Sequence, residues 1–225
     1  MSQQKHKLQQ QLRRFHKLSA LILFAFVLAH MLNHVSGVFG IETYNAVQKA
    51  LRTVYRFAPV EALLLLLVSG QLLLGATLLV RALRRGRPKG FWAWTQILSG
   101  GMLFLFLSQH LYAIYMARLV LKVETDFYWP AAVMSSPPFS WYFTPYYFLG
   151  VLALFSHIGV GVRYWALDAN RPKLANQLGI GFILAGILIG ITIILVLSGA
   201  LFEIPLSPKW VAYLQYYVPS YTPPQ

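Results

Sequence analysis

Four histidines of this chain stand inside long apolar runs. His30 and His34 close the run ALILFAFVLAHMLNH, His110 lies near the end of WTQILSGGMLFLFLSQHLY, and His157 lies in LFSHIGVGVRYWAL. An imidazole in hydrocarbon needs a partner, because each unmet hydrogen bond there costs several kcal/mol. Two kinds of partner are available to it. A nearby hydroxyl, amide or backbone carbonyl would do, and Ser36, Ser108 and Gln109 are placed to serve. A metal bound through a ring nitrogen would do equally well. The sequence has no cysteine, which excludes a disulfide framework, a thiolate-held cluster, CxxCH haem attachment and a cysteine nucleophile. A redox centre held by this chain alone must therefore use His or Met.

Depth along the helices narrows the choice. At about 1.5 Å per residue, His30 lies roughly 13 Å below Phe39 and His110 roughly 15 Å below Val120, so the two sit at nearly one level. Two imidazoles at one depth on separate helices are what a six-coordinate b-type haem requires, and intramembrane ionisable groups point to function by default. His34 is one turn outward of His30, about 40° around the helix. It is a second candidate ligand, or a partner for a propionate or quinone carbonyl. His30 is preferred because His34 is nearer water. His157 belongs nearer the opposite face, where the residue at similar depth on the second span is Gln71. No histidine falls between Pro59 and Arg81, so a second bis-His haem lacks a ligand. His6 and His16 are expected to be solvated. The setting His16-Lys17-Leu18-Ser19 offers a hydroxyl and cations at the membrane surface, suited to a quinone headgroup or to simple anchoring of the helix. Glu61 is expected to pair with Arg56 in preference to accepting protons.

These residues require membrane-spanning elements to place them, and the composition supplies them. The chain is 57% hydrophobic and 11% charged over 225 residues, against about a quarter charged in soluble domains. The fold class predicted is an all-α integral membrane protein, a single bundle of five transmembrane helices covering residues 1–225. Helices are expected at about 16–39, 58–82, 91–121, 141–166 and 174–202, with a basic leader at 1–15 and a Pro/Tyr-rich tail at 203–225. The first apolar run is too long for a signal-peptide core and no small-residue cleavage site follows it. Residues 41–57 carry Val47, Leu51, Val54 and Tyr55 at helical spacing, which predicts an interfacial amphipathic helix. An outer loop rich in proline and aromatics follows helix 3, and the tail is expected to be an extended strap. Gly179, Gly181, Gly186 and Gly190 have the small-residue spacing of close helix packing. Trp92, Trp94, Trp141, Tyr142, Tyr146 and Trp165 are expected in the interfacial aromatic belts.

The net charge of +13 would suggest nucleic acid in a soluble protein. Its placement argues for topology instead. The leader, the 81–89 loop and the 163–173 turn hold thirteen Lys and Arg, and the opposite loops and tail hold six. The positive-inside rule then puts the N-terminus in the cytoplasm and the C-terminus in the periplasm.

Helices 1, 3 and 4 resemble those of the single-chain, five-helix cytochrome b membrane anchors of fumarate reductases and succinate dehydrogenases. HKLSALILFAFVLAHM looks like that family's first helix, with a ligand histidine followed by Met at His30. WTQILSGGMLFLFLSQHLY looks closer still, with Trp-x-Gln, a Ser-Gly pair and a ligand histidine before Leu-Tyr at His110. LFSHIGVGVRYWAL is similar to the helix that carries a ligand histidine at the position of His157. The resemblance implies iron held by His30 and His110, and quinone as electron partner. It also implies a flavoprotein or iron-sulfur partner subunit, and a bacterial inner-membrane location. The two-haem members use a second-helix histidine that this chain lacks, so one haem b is expected. The alternative is a haem-free anchor or accessory subunit with the same fold. A transporter is disfavoured, since no broken helices pair polar residues at the midplane and no inverted repeat is evident.

Overall fold

A computed structural model describes residues 2–84 and 86–223, with the side chains of 2–6, 8, 9 and 13 outside the description. The expectation for His6 therefore lies outside the described residues. Among the described residues eight α-helices form: α1 (Ser2–Ser36), α2 (Ile41–Tyr55), α3 (Ala58–Arg84), α4 (Phe91–Tyr115), α5 (Tyr128–Ser135), α6 (Phe139–Asp168), α7 (Pro172–Leu197) and α8 (Pro208–Tyr217). A π-helical turn, Met116–Val120, continues α4. Five helices are long and apolar enough to cross a membrane, spanning Gln10–Phe39, Ala58–Arg84, Phe91–Val120, Phe139–Asp168 and Pro172–Leu197.

The spans form a closed ring. α1 contacts α3 and α7, α4 contacts α3 and α6, and α6 contacts α7. Among the described residues, no Cα of α1 comes within 8 Å of a Cα of α4 or α6. The interior is thus bridged by side chains, while exposed leucines such as Leu66, Leu73, Leu98, Leu105 and Leu188 face outward as a lipid-facing surface must.

The tightest seam is α6 against α7, and glycine makes it. A Cβ on Gly159 would lie 2.7 Å from Cβ of Phe182 and 3.0 Å from the Gly179 carbonyl oxygen; one on Gly186 would lie 2.7 Å from Cβ of Phe155. Lipid supplies no hydrophobic drive between helices, so such close van der Waals approach carries the association. Gly181 has open space beside it and takes no part.

One end of the ring is capped. α2, α5 and α8 lie there around a core of Tyr44, Phe127, Met134, Trp210, Leu214 and Tyr221. Three expectations change in this region. The outer loop contains α5, whose Pro130, Ala131, Ala132, Val133 and Met134 are buried. The tail folds into α8, with Pro208 in its first turn and Trp210 and Leu214 inside, instead of an extended strap. α7 ends at Leu197, short of residue 202, because Gly199 turns the chain at φ 84°. The opposite end carries the N-terminal segment of α1 and the two basic connections.

Overpacking in a matched seam costs about 1–3 kcal/mol per added methylene set. Gly159→Val is expected to lower the thermal midpoint in detergent, while Gly161→Ala, where nothing lies within 4 Å, should leave it nearly unchanged. Equal effects would show that α6 and α7 do not meet through Gly159.

Candidate functional site

α1 presents one face to the ring interior. His16, Ser19, Phe26, His30 and His34 recur at intervals of three, four and seven residues, which puts them on a single stripe. At the capped half of that stripe lie three imidazoles. The ring centroids of His30 and His34 are 4.7 Å apart with the planes near perpendicular, and those of His30 and His110 are 6.3 Å apart. Depth arithmetic from sequence and the structure thus agree in bringing His30 and His110 together, from two helices whose backbones do not touch.

The two rings are held by aromatic neighbours on their own helices. Phe26, one turn before His30, stacks on it at 5.6 Å, and Phe106, one turn before His110, stacks at 5.7 Å. Trp129 from α5 approaches His110 at 6.3 Å. Ser36 and Gln109, considered from sequence as polar partners, are committed elsewhere. Ser36 donates to the Asn33 carbonyl, and Gln109 accepts from the Tyr142 hydroxyl.

His34 is tied to the cap. Its Nδ1 shares a 3.3 Å hydrogen bond with the hydroxyl of Tyr44 on α2, and both side chains are buried. Burial pushes the Tyr44 phenol above its ordinary value, so that hydroxyl stays protonated through the physiological range. The bond takes up Nδ1 of His34 and leaves its Nε2 free of Tyr44.

A second polar cluster lies about 21 Å away along α1, counting fourteen residues from His30 to His16 at the helical rise. Gln71 of α3 donates from Nε2 to the His16 carbonyl at 2.9 Å and to the Ser19 hydroxyl at 3.0 Å. Ser19 in turn donates to the Phe15 carbonyl at 2.8 Å. His157 of α6 meets Ser99 of α4 through Nδ1 at 3.2 Å, and it packs over Gly100, where a Cβ would lie 3.3 Å from its Cε1. Two atoms in this cluster are buried without a protein partner: Nδ1 of His16 and Oε1 of Gln71. The expectation of a solvated His16 is corrected, since its ring nitrogen is enclosed. Ser19, singled out as a headgroup ligand, has its hydroxyl engaged on both sides, and the free valences belong to His16 and Gln71. Ser99 was not singled out from sequence, although its small side chain next to Gly100 and Gly101 marks the place where α4 lets another helix approach.

Three further expectations change. Glu61 pairs with Arg118 and not with Arg56. Trp92 is not a belt residue, for it packs on Gly179 beneath the Arg163 guanidinium, 4.7 Å from the ring centre. Tyr146 is buried and donates to the Phe106 carbonyl at 2.9 Å. Trp141 and Trp165 remain exposed as belt residues should be.

The donor set can be tested against an iron porphyrin. Two imidazoles that share one metal through bonds of about 2 Å each bring their ring centres about 6 Å apart. The observed 6.3 Å fits that distance. Among the described residues no three His, Cys, Asp or Glu side chains converge to hold a metal ion. Comparison with family models, with curated proteins and with solved structures returns no match.

The separation of α1 and α4 can be measured directly, because the chain has no other thiol. With Cα atoms more than 8 Å apart, a His30→Cys/His110→Cys variant exceeds the reach of a disulfide, about 7 Å. Oxidant is expected to leave it uncrosslinked, and a short bis-maleimide is expected to join it, as read by electrophoresis of protease-nicked protein. Rapid disulfide formation would show the two helices in contact.

Proposed function

We propose that this chain is a b-type cytochrome membrane subunit. In this reading His30 and His110 hold one haem, and the subunit exchanges electrons between a quinone and a partner protein. The observation that carries the reading is the pair of imidazoles whose ring centres lie 6.3 Å apart on two helices that do not touch. Bound haem would supply one-electron chemistry at the capped side of the ring.

The chain's own residues do the rest. Phe26 and Phe106 fix the planes of the two ligand rings by stacking. The Tyr44 hydroxyl fixes the ring of His34 through Nδ1. The cap of α2, α5 and α8 covers this end and keeps water from it. At the other end, Nδ1 of His16, carrying its proton, is the group that would donate to a quinone's oxygen, and Oε1 of Gln71 would accept from the hydroxyl of the reduced quinol, with His157 and Ser99 alongside. This modifies the role of His157, which has a hydroxyl partner and no facing histidine on α3. The positive-inside rule supports a cytoplasmic N-terminus in a bacterial inner membrane, with the cap in the periplasm.

A single haem leaves much of the roughly 30 Å hydrocarbon core uncrossed. In this reading the haem's direct exchange with a partner is at the capped side, and the quinone groups lie about 21 Å along α1 from it. The second reading, a haem-free anchor subunit, is favoured by one observation: both rings already have stacked aromatic partners and could serve as packing residues.

A reduced-minus-oxidised spectrum of the purified protein separates the two readings. The cytochrome reading expects a b-type alpha band near one haem per chain, lost in His30→Ala and in His110→Ala and kept in His157→Ala. A featureless spectrum after expression with ample haem, with assembly intact in both alanine variants, would establish the anchor reading. Two haems per chain would mean that a residue other than a second-helix histidine completes another site.

A further inference from the structure

We propose that Arg52, Arg56 and Arg118 form a binding site for the phosphate of an anionic phospholipid at the capped end of the ring. Three guanidiniums converge where α2, the start of α3 and the π turn after α4 meet. Arg52 and Arg56 donate to the same hydroxyl oxygen, Oγ1 of Thr125, at 3.0 and 2.9 Å. Arg52 also donates to the Thr125 carbonyl at 2.7 Å. Arg118 pairs with Glu61.

Two like charges that share one neutral acceptor repel each other, and few carboxylates are present to compensate. Glu61 is engaged by Arg118. Asp126 turns Oδ1 to the Tyr128 amide at 3.0 Å, and Glu124, next to Thr125 in the chain, forms no ion pair with these arginines among the described residues. Arg56 is left without a carboxylate of its own. Burial and the neighbouring charges of Arg52 and Arg118 hold Arg56 below the ordinary arginine value. Nε of Arg52 is buried with no protein partner. Holding the Thr125 segment against α2 uses a single nitrogen of each guanidinium, so that structural role leaves donors over. A phosphate accepts several charge-assisted hydrogen bonds at once and matches the planar guanidinium fork.

The surroundings select a lipid over a soluble anion. Val54 and Phe57 beside Arg56, and Leu119 and Val120 beside Arg118, are all exposed. Cations at a helix end above exposed apolar side chains match a headgroup above its acyl chains. The site is independent of the haem reading, since none of its residues is a proposed ligand.

The test uses the full chain in detergent, after delipidation, with the thermal midpoint followed against added phosphatidylglycerol, phosphatidylcholine or inorganic phosphate. Phosphatidylglycerol is expected to stabilise the wild type, and the other two to do little. Arg56→Gln should weaken the response about tenfold, consistent with loss of a charge-assisted bond, Arg56→Lys should recover part of it, and Lys49→Gln on the exposed face of α2 should match wild type. Arg52→Gln also loosens Thr125, so Arg56 carries the test. Equal responses of wild type and Arg56→Gln would overturn the site. Equal protection by inorganic phosphate would make it a soluble-anion site, and loss of haem from Arg56→Gln with lipid binding intact would assign the arginines to the cofactor's carboxylates.

Discussion

The structure depends on the cost of an unpartnered polar group in an apolar medium. Inside a bilayer no water is available to a stray imidazole, amide or hydroxyl, so each must meet protein or a bound group. The chain obeys this at nearly every polar position it buries. Ser19, Thr77, Thr95 and Thr192 return their hydroxyls to the backbone four residues earlier. His34 meets Tyr44, and His157 meets Ser99. Against that regularity stand the exceptions: His30 and His110 have only aromatic rings for company, and among the described residues Nδ1 of His16, Oδ1 of Asn33, Nε of Arg52, Oε1 of Gln71 and the Tyr221 hydroxyl are buried with no protein partner. They fall in two groups, one at the capped end and one at the end that holds His16 and Gln71.

The stripe works because the ring is asymmetric. α6 and α7 are welded by glycine contacts and supply a rigid wall. α1 leans on that wall and on α3 without reaching α4 or α6. A helix bundle packed equally throughout would close the interior at about 8–10 Å between axes. Here the non-adjacent helices stay further apart, and aromatic and histidine side chains span the difference. Backbone separation and side-chain chemistry therefore belong to one arrangement: the wide diagonal is where the ring-bearing residues are.

Much of this was legible in the sequence, and for identifiable reasons. The spans follow from long uncharged runs bounded by Gly, Pro and Arg, which hydropathy reads well. The common level of His30 and His110 follows from a fixed rise per residue. The amphipathic α2 follows from apolar residues at helical spacing. What stayed hidden depended on long-range partners. α5 and α8 are short, and their prolines and tyrosines read as irregular chain until the cap's core is seen to bury Met134, Trp210 and Leu214. Glu61 has Arg56 nearby in sequence, yet it pairs with Arg118 from a helix fifty-seven residues on, and no local pattern encodes that choice. His16 read as solvated because its neighbours are charged, whereas the cluster that encloses it comes from α3, α4 and α6.

The two ends of the ring differ in how they treat water, and this bears on direction of transfer. At the capped end three short helices and a mostly aromatic core sit over the His30 and His110 rings. A low-dielectric lid of this kind disfavours an added charge and so favours the less charged oxidation state of any centre beneath it. At the other end the polar cluster lies under the basic connections, with atoms free to accept or donate hydrogen bonds. In the proposed reading a headgroup that takes up protons would sit at the His16 and Gln71 end and the imidazole pair beneath the cap, where Oδ1 of Asn33, Nε of Arg52 and the Tyr221 hydroxyl are also buried without a protein partner.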